Sequence, residues 1–78
     1  MRRVNVKGSI KLDQFLKWAS IASSGGQGKM MILSGMVKVN GETVQARGRL
    51  LSDGDVVNVE GAGEFMVYSG PGGPGENK

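Results

Sequence analysis

Glycine, lysine and hydroxyl side chains crowd together at Ser23-Ser24-Gly25-Gly26-Gln27-Gly28-Lys29, as they do around a bound phosphate. A nucleotide-binding P-loop has a glycine five residues before its Gly-Lys pair and a serine or threonine after it. Its backbone N–H groups then wrap the phosphates and the hydroxyl holds magnesium. Here those two positions are Ser23 and Met30, so the nucleotide reading fails at both. Asp53 and Asp55 are spaced like a carboxylate pair or part of a calcium loop. They flank Gly54, however, in a run from Ser52 where aspartate is favoured for the local bonds it makes in a turn. The chain has no cysteine and no histidine. That removes the thiol nucleophile, the disulfide, the commonest general base near neutral pH and the commonest transition-metal ligand. With no nucleophile–base or metal constellation left, the sequence predicts a protein that is not an enzyme and carries no cofactor and no metal.

The elements that must position any site follow from periodicity. Leu12, Phe15, Leu16 and Ala19 recur at i, i+3, i+4 and i+7, which predicts a helix over about 12–20 with one apolar stripe. Asp13 suits the positive end of its dipole and makes an exposed i, i+4 pair with Lys17. Ser24 and Gln27 have capping-box spacing, so a second helix is expected to start there and run through Met30, Met31, Ile32 and Leu33. Gly35 falls where a left-handed residue would close that helix. Met36 to Val39 alternates and meets Asn40-Gly41, a type I′ hairpin signal, with residues 42–45 as the return strand. Arg47-Gly48-Arg49 reads as a basic loop and 52–55 as a turn; strands are expected at 56–59 and 64–68. The methionines Met30, Met31 and Met36 read as core filler. The expected architecture is α+β, two helices packed on a small, mostly antiparallel sheet.

Seventy-eight residues allow one domain, expected over 1–68, and 38% hydrophobic with 22% charged residues is ordinary for a chain that folds. From Ser69 onward the glycines and prolines oppose regular structure, and residues 69–78 are expected to form a disordered tail. Met1-Arg2-Arg3 leads into Val4-Asn5-Val6-Lys7 rather than an apolar leader, and no run approaches the roughly 20 residues of a membrane span. A cytoplasmic protein without membrane contact is expected. A net charge of +3 and a pI near 9.6 favour an anionic partner.

Lys11-Leu12-Asp13-Gln14-Phe15-Leu16, Ser24 through Lys29, Gly35 through Gly41 and Gly54-Asp55-Val56-Val57, taken in order, resemble the S-four (S4) RNA-binding domain. The likeness spans about 10–59. Within that family the chain is similar to the short single-domain bacterial group labelled YaaA/YbcJ-like, which shares the Ser-Gly-Gly stretch and the Arg-Gly-Arg loop. The resemblance implies a monomeric module that docks structured RNA, of ribosomal or transfer RNA class, with no small-molecule substrate. Carried over by position, it implicates Lys11, Ser24, Lys29 and, more loosely, Lys38, Arg47 and Arg49. Many members have an arginine where this chain has Gly25, which can offer only its backbone N–H. The implied mechanism is docking of phosphates onto the start of the second helix, where the N–H groups of Gly25, Gly26 and Gln27 point outward and the macrodipole favours negative charge. The glycines have a second reading, that they permit tight packing between the helices. Trp18 lies on the same flank as Lys11 and is read as a residue at the rim of the core, with stacking on a base as its alternative. A protein adaptor using the same basic face on an acidic partner is the alternative function.

Overall fold

The computed structural model describes residues 2–69. Nine elements follow one another. They are β1 (Arg2–Val6), β2 (Ile10–Lys11), α1 (Leu12–Trp18), α2 (Gly25–Leu33), β3 (Val37–Val39), β4 (Glu42–Thr43), β5 (Leu50–Leu51), β6 (Val56–Val59) and β7 (Gly63–Ser69). One sheet has the order β1-β7-β6-β3-β4, and a two-stranded ladder joins β2 to β5. Every pairing is antiparallel except β1 with β7. The α+β architecture and the mostly antiparallel sheet are those expected.

The core lies between the helices and one face of the sheet. Leu12, Phe15 and Leu16 of α1 and Ile32 of α2 are fully buried against Val37, Val39, Val57, Val59, Phe65 and Val67. Alternation along β3 and β6 sends Lys38 and Asn58 to the opposite, exposed face. Met31 and Met36 pack against the core as expected, but Met30 is 68% exposed and does not.

Local chemistry sets the turns. Gly35 (φ 81) ends α2 in a left-handed conformation, its N–H bonding Ile32 O at 3.1 Å while Met36 N–H bonds Met31 O at 3.2 Å, the two bonds of a Schellman cap. Asn40 (φ 53) and Gly41 (φ 87) form the type I′ turn between β3 and β4. The Asn40 side chain also accepts from Val56 N–H at 3.0 Å and donates to Asp55 Oδ1 at 3.1 Å, clamping the hairpin to the turn before β6. Asp55 Oδ2 accepts from Ser52 N–H, and Asp53 Oδ1 accepts from Ser69 N–H. Asp55 thus makes the local turn bond that the sequence suggests, whereas Asp53 ties the turn to the end of β7.

Several elements differ from expectation, among them the short strands β2 and β5, which the sequence does not announce. The first helix stops at Trp18 because Ser20 is left-handed (φ 61), which no continuing helix tolerates. The return strand β4 is two residues long, since the chain then turns inward to bury Val44. Ser69, expected to open the tail, instead completes β7 and pairs with Val6; residues 70–78 lie outside the described residues. β1 is a strand where none is expected, because its partner β7 lies at the far end of the domain.

Asn40 gives a measurable test of the clamp. Asn40→Ala should lose about 2 kcal/mol in urea unfolding, from left-handed strain plus lost hydrogen bonds, and Asn40→Gly about 1 kcal/mol, because glycine removes only the strain.

Candidate nucleic-acid interface

A helix begins with four N–H groups that its own ladder cannot satisfy. In α1 the N-cap residue, Lys11, is extended (φ −74, ψ 150) and makes no side-chain cap. The loop between β4 and β5 supplies the acceptors: Leu12 N–H donates to Arg49 O at 2.8 Å and Asp13 N–H to Arg47 O at 3.3 Å. A turn bond from Arg49 N–H to Ala46 O, 3.1 Å, closes the loop, and the β2–β5 ladder sets Lys11 opposite Leu50. Main-chain bonds alone thus gather Lys11, Arg47 and Arg49 at one corner. Lys11 and Arg47 are exposed and Arg49 is half-buried. Asp13 is half-buried too, its Oδ1 shielded from solvent without a hydrogen-bond partner, so it does not stand in the solvent-exposed pair with Lys17 that their spacing predicts.

The start of α2 divides its glycines between two tasks. Gly28 is buried where the helices touch; a Cβ there would lie 3.2 Å from Asp13 O and 3.6 Å from Leu16 Cβ. The packing reading holds for Gly28. Gly25 and Gly26 are exposed, and a Cβ would meet nothing within 4 Å at the first and only Ser24 Oγ, at 3.9 Å, at the second. The opening of α2 is therefore open to solvent. Ser24 caps it, its Oγ accepting from Gln27 N–H at 3.2 Å. Gln27 N–H is consequently occupied and does not point outward as expected, which leaves the N–H groups of Gly25 and Gly26 for an outside acceptor. The capping box is also displaced by one residue: Gln27 Oε1 accepts from the N–H and hydroxyl of Ser23, both at 2.6 Å, rather than from Ser24 N–H. The first turn of α2 contains no acidic residue, so its positive end is uncompensated.

Lys29 is exposed one turn beyond Gly25 on the same side of α2, with Leu33 a further turn along. Gln45 Nε2 donates to Leu33 O at 3.1 Å. The segment from Gln45 to Arg49 is therefore tied to the end of α2 and to the start of α1. Lys38 does not join this group. It projects from the sheet face opposite the helices, paired across strands with Thr43 and Asn58.

Two residues that the motif comparison does not select also border the site. Lys17, Ser23 and Gln27 line a hollow between the end of α1 and the start of α2. Trp18 is 60% exposed, not a core-rim residue, and its Nε1–H donates to Asn5 O at 2.8 Å. Nothing local announces this, because the acceptor is a main-chain carbonyl on another element. Among the described residues no group of three or more acidic or histidine side chains is placed to hold a metal, and no helix is long and apolar enough to cross a membrane.

A model of the S4 domain matches residues 4–67. The probable ribosome maturation protein RlbA of Bacillus subtilis (strain 168) is 48% identical over 60 residues, which cover 77% of this chain and 84% of that protein.

Two substitutions separate capping from packing at α2. Ser24→Ala should cost about 1 kcal/mol by losing the cap. Gly28→Val should cost about 1–3 kcal/mol because its side chain must displace the Asp13 backbone. Thermal unfolding followed by circular dichroism reads both.

Proposed function

The chain belongs to the S4 domain family, and from that premise we propose that it is a non-catalytic module that docks a structured RNA through phosphate and shape contacts. The observation that carries the reading is the pair of main-chain bonds from Leu12 and Asp13 to Arg49 and Arg47, which brings Lys11 and both arginines together. At the start of α2, which packs on α1 through Gly28, the open N–H groups of Gly25 and Gly26, with Lys29 a turn further on, offer donors and positive potential to a phosphate. Four cations from three segments suit a polyanion whose phosphates are spread over several positions. A single small anion needs no such breadth.

The RNA most worth testing is ribosomal, because the Bacillus relative is described as a ribosome maturation protein. Double-stranded RNA displays phosphates and 2′-hydroxyls along a wide minor groove that is read largely by shape. A helix opening flanked by cations is suited to that surface. Gly25, standing where many members carry arginine, lets a phosphate approach the backbone closely in place of a side-chain contact. Lys38 lies outside the proposed contact surface.

Filter binding to ribosomal RNA, duplex DNA and single strands across a salt series tests the reading. With three or four cations on phosphates, log K should fall against log salt with a slope of about −2 to −3.5. Lys29→Glu with Arg49→Glu should abolish binding while changing stability by no more than about 1 kcal/mol. Lys38→Glu should leave affinity unaltered. Full affinity in the folded double variant would overturn the site. A protein that binds no RNA even at low salt would favour the adaptor reading, in which the same basic face meets an acidic protein.

A further inference from the structure

We propose that Trp18 is a stacking platform for one unpaired base of the bound RNA, a contact that rests on the RNA-binding reading and adds a base subsite to a surface otherwise made for phosphates. Small domains have little apolar surface to spare, and a tryptophan is the largest apolar side chain available to bury. Here it is left 60% exposed at the end of α1.

The ring is held rather than loose. Its one polar atom, Nε1, is engaged by Asn5 O at 2.8 Å, and Asn5 belongs to β1, an edge strand of the sheet. With its N–H consumed internally, what the indole offers outward is apolar ring surface. Two hollows adjoin it. One is lined by Ile10, Gln14 and Lys17, the other by Ile10 again with Lys7 and Ser9. A fixed aromatic ring bordered by two lysines, Lys7 and Lys17, matches a nucleotide, whose base stacks while its phosphates meet the ammonium groups. Those lysines are poorly suited to a purely apolar occupant, which would have to desolvate them without returning a charge partner.

The position is continuous with the phosphate site. Lys17 lines both the hollow beside Trp18 and the one beside Ser23 and Gln27 at the start of α2. Lys11 lies seven positions before Trp18 on the same flank of α1, about 10 Å away at the rise of a helix. The base must be unpaired, since a duplex keeps the faces of its bases inside the stack. The preferred RNA is thus a helix with an extruded or terminal nucleotide.

Trp18 is the only tryptophan in the chain, so its fluorescence reports directly on the contact. The probes are an RNA hairpin bearing one extruded adenosine and the same hairpin fully paired. The bulged hairpin should quench the emission and bind more tightly than the paired one. Trp18→Leu should weaken the bulged hairpin by roughly fivefold to a hundredfold and leave the paired hairpin and the salt slope unchanged. Trp18→Phe, which also loses the N–H···O bond but keeps an aromatic face, should stay within about threefold of the parent on the bulged hairpin. Equal losses for both variants on both hairpins would show that Trp18 acts only through the fold and would overturn the proposal. So would unquenched emission in the parent protein together with full affinity in Trp18→Leu. If the parent protein binds neither hairpin, the RNA reading itself falls; if it binds both alike regardless of residue 18, only the stacking subsite does.

Discussion

The arrangement of this domain hangs on two main-chain hydrogen bonds, from Leu12 and Asp13 N–H to the carbonyls of Arg49 and Arg47. α1 has seven residues, too few to persist alone in water, so its start must be satisfied from elsewhere. A serine or aspartate cap would have done this locally. A loop from the far side of the sheet does it here, and because carbonyls do the capping, the side chains of Lys11, Arg47 and Arg49 remain uncommitted. The same bonds seat the β2–β5 ladder next to the helix and fix the path of the chain between hairpin and sheet. The cost is electrostatic. The start of a helix is its positive end, and each exposed cation there is unfavourable by about 0.3–1 kcal/mol at low salt. Three cations at that end are hard to explain by stability alone, and easier if an anion is expected to arrive.

α2 repeats the theme with different means. Its first turn lacks an acidic residue, and Ser24 and Gln27 turn their oxygens inward onto Gln27 N–H and Ser23. The amides of Gly25 and Gly26 are left open on a surface no side chain obstructs. Gly28, by contrast, is spent on closeness: the absence of a side chain lets α2 rest on the backbone of Asp13. One glycine-rich run thus divides between packing, at Gly28, and an unobstructed backbone, at Gly25 and Gly26.

Those elements whose causes are local were legible in the sequence. The Asn40-Gly41 turn, the Ser24 cap, the Gly35 stop and the buried stripe of Leu12, Phe15 and Leu16 each depend on residues within a few positions of one another. The family resemblance identified the domain, but it could not sort its basic residues by face. Lys38 belongs to the hairpin motif, yet alternation along β3 with Val37 and Val39 buried sends it to the side away from the helices. Met30 looks out at 68% exposure although its neighbours Met31 and Ile32 face inward, a difference that its residue type does not mark. The strand β1 escaped because only Val4 and Val6 mark it, and its register is set by β7, more than sixty positions away.

What the sequence hid has a common physical cause. The acceptors that build the candidate site are Arg47 O, Arg49 O, Leu33 O and Asn5 O, all main-chain carbonyls. Every residue carries that group, so its use leaves no mark in residue type or spacing. The side chains that project from those points do carry type, and they were found; what could not be found is that they meet. The indole of Trp18 is the sharpest case. Its donor is evident in the sequence, but its acceptor exists only once β1 has paired with β7 and brought the carbonyl of Asn5 to the end of α1. The sheet is therefore more than a support for the core: by presenting that edge carbonyl it holds an exposed aromatic ring in one orientation, and a ring so held loses less entropy when a flat partner settles on it.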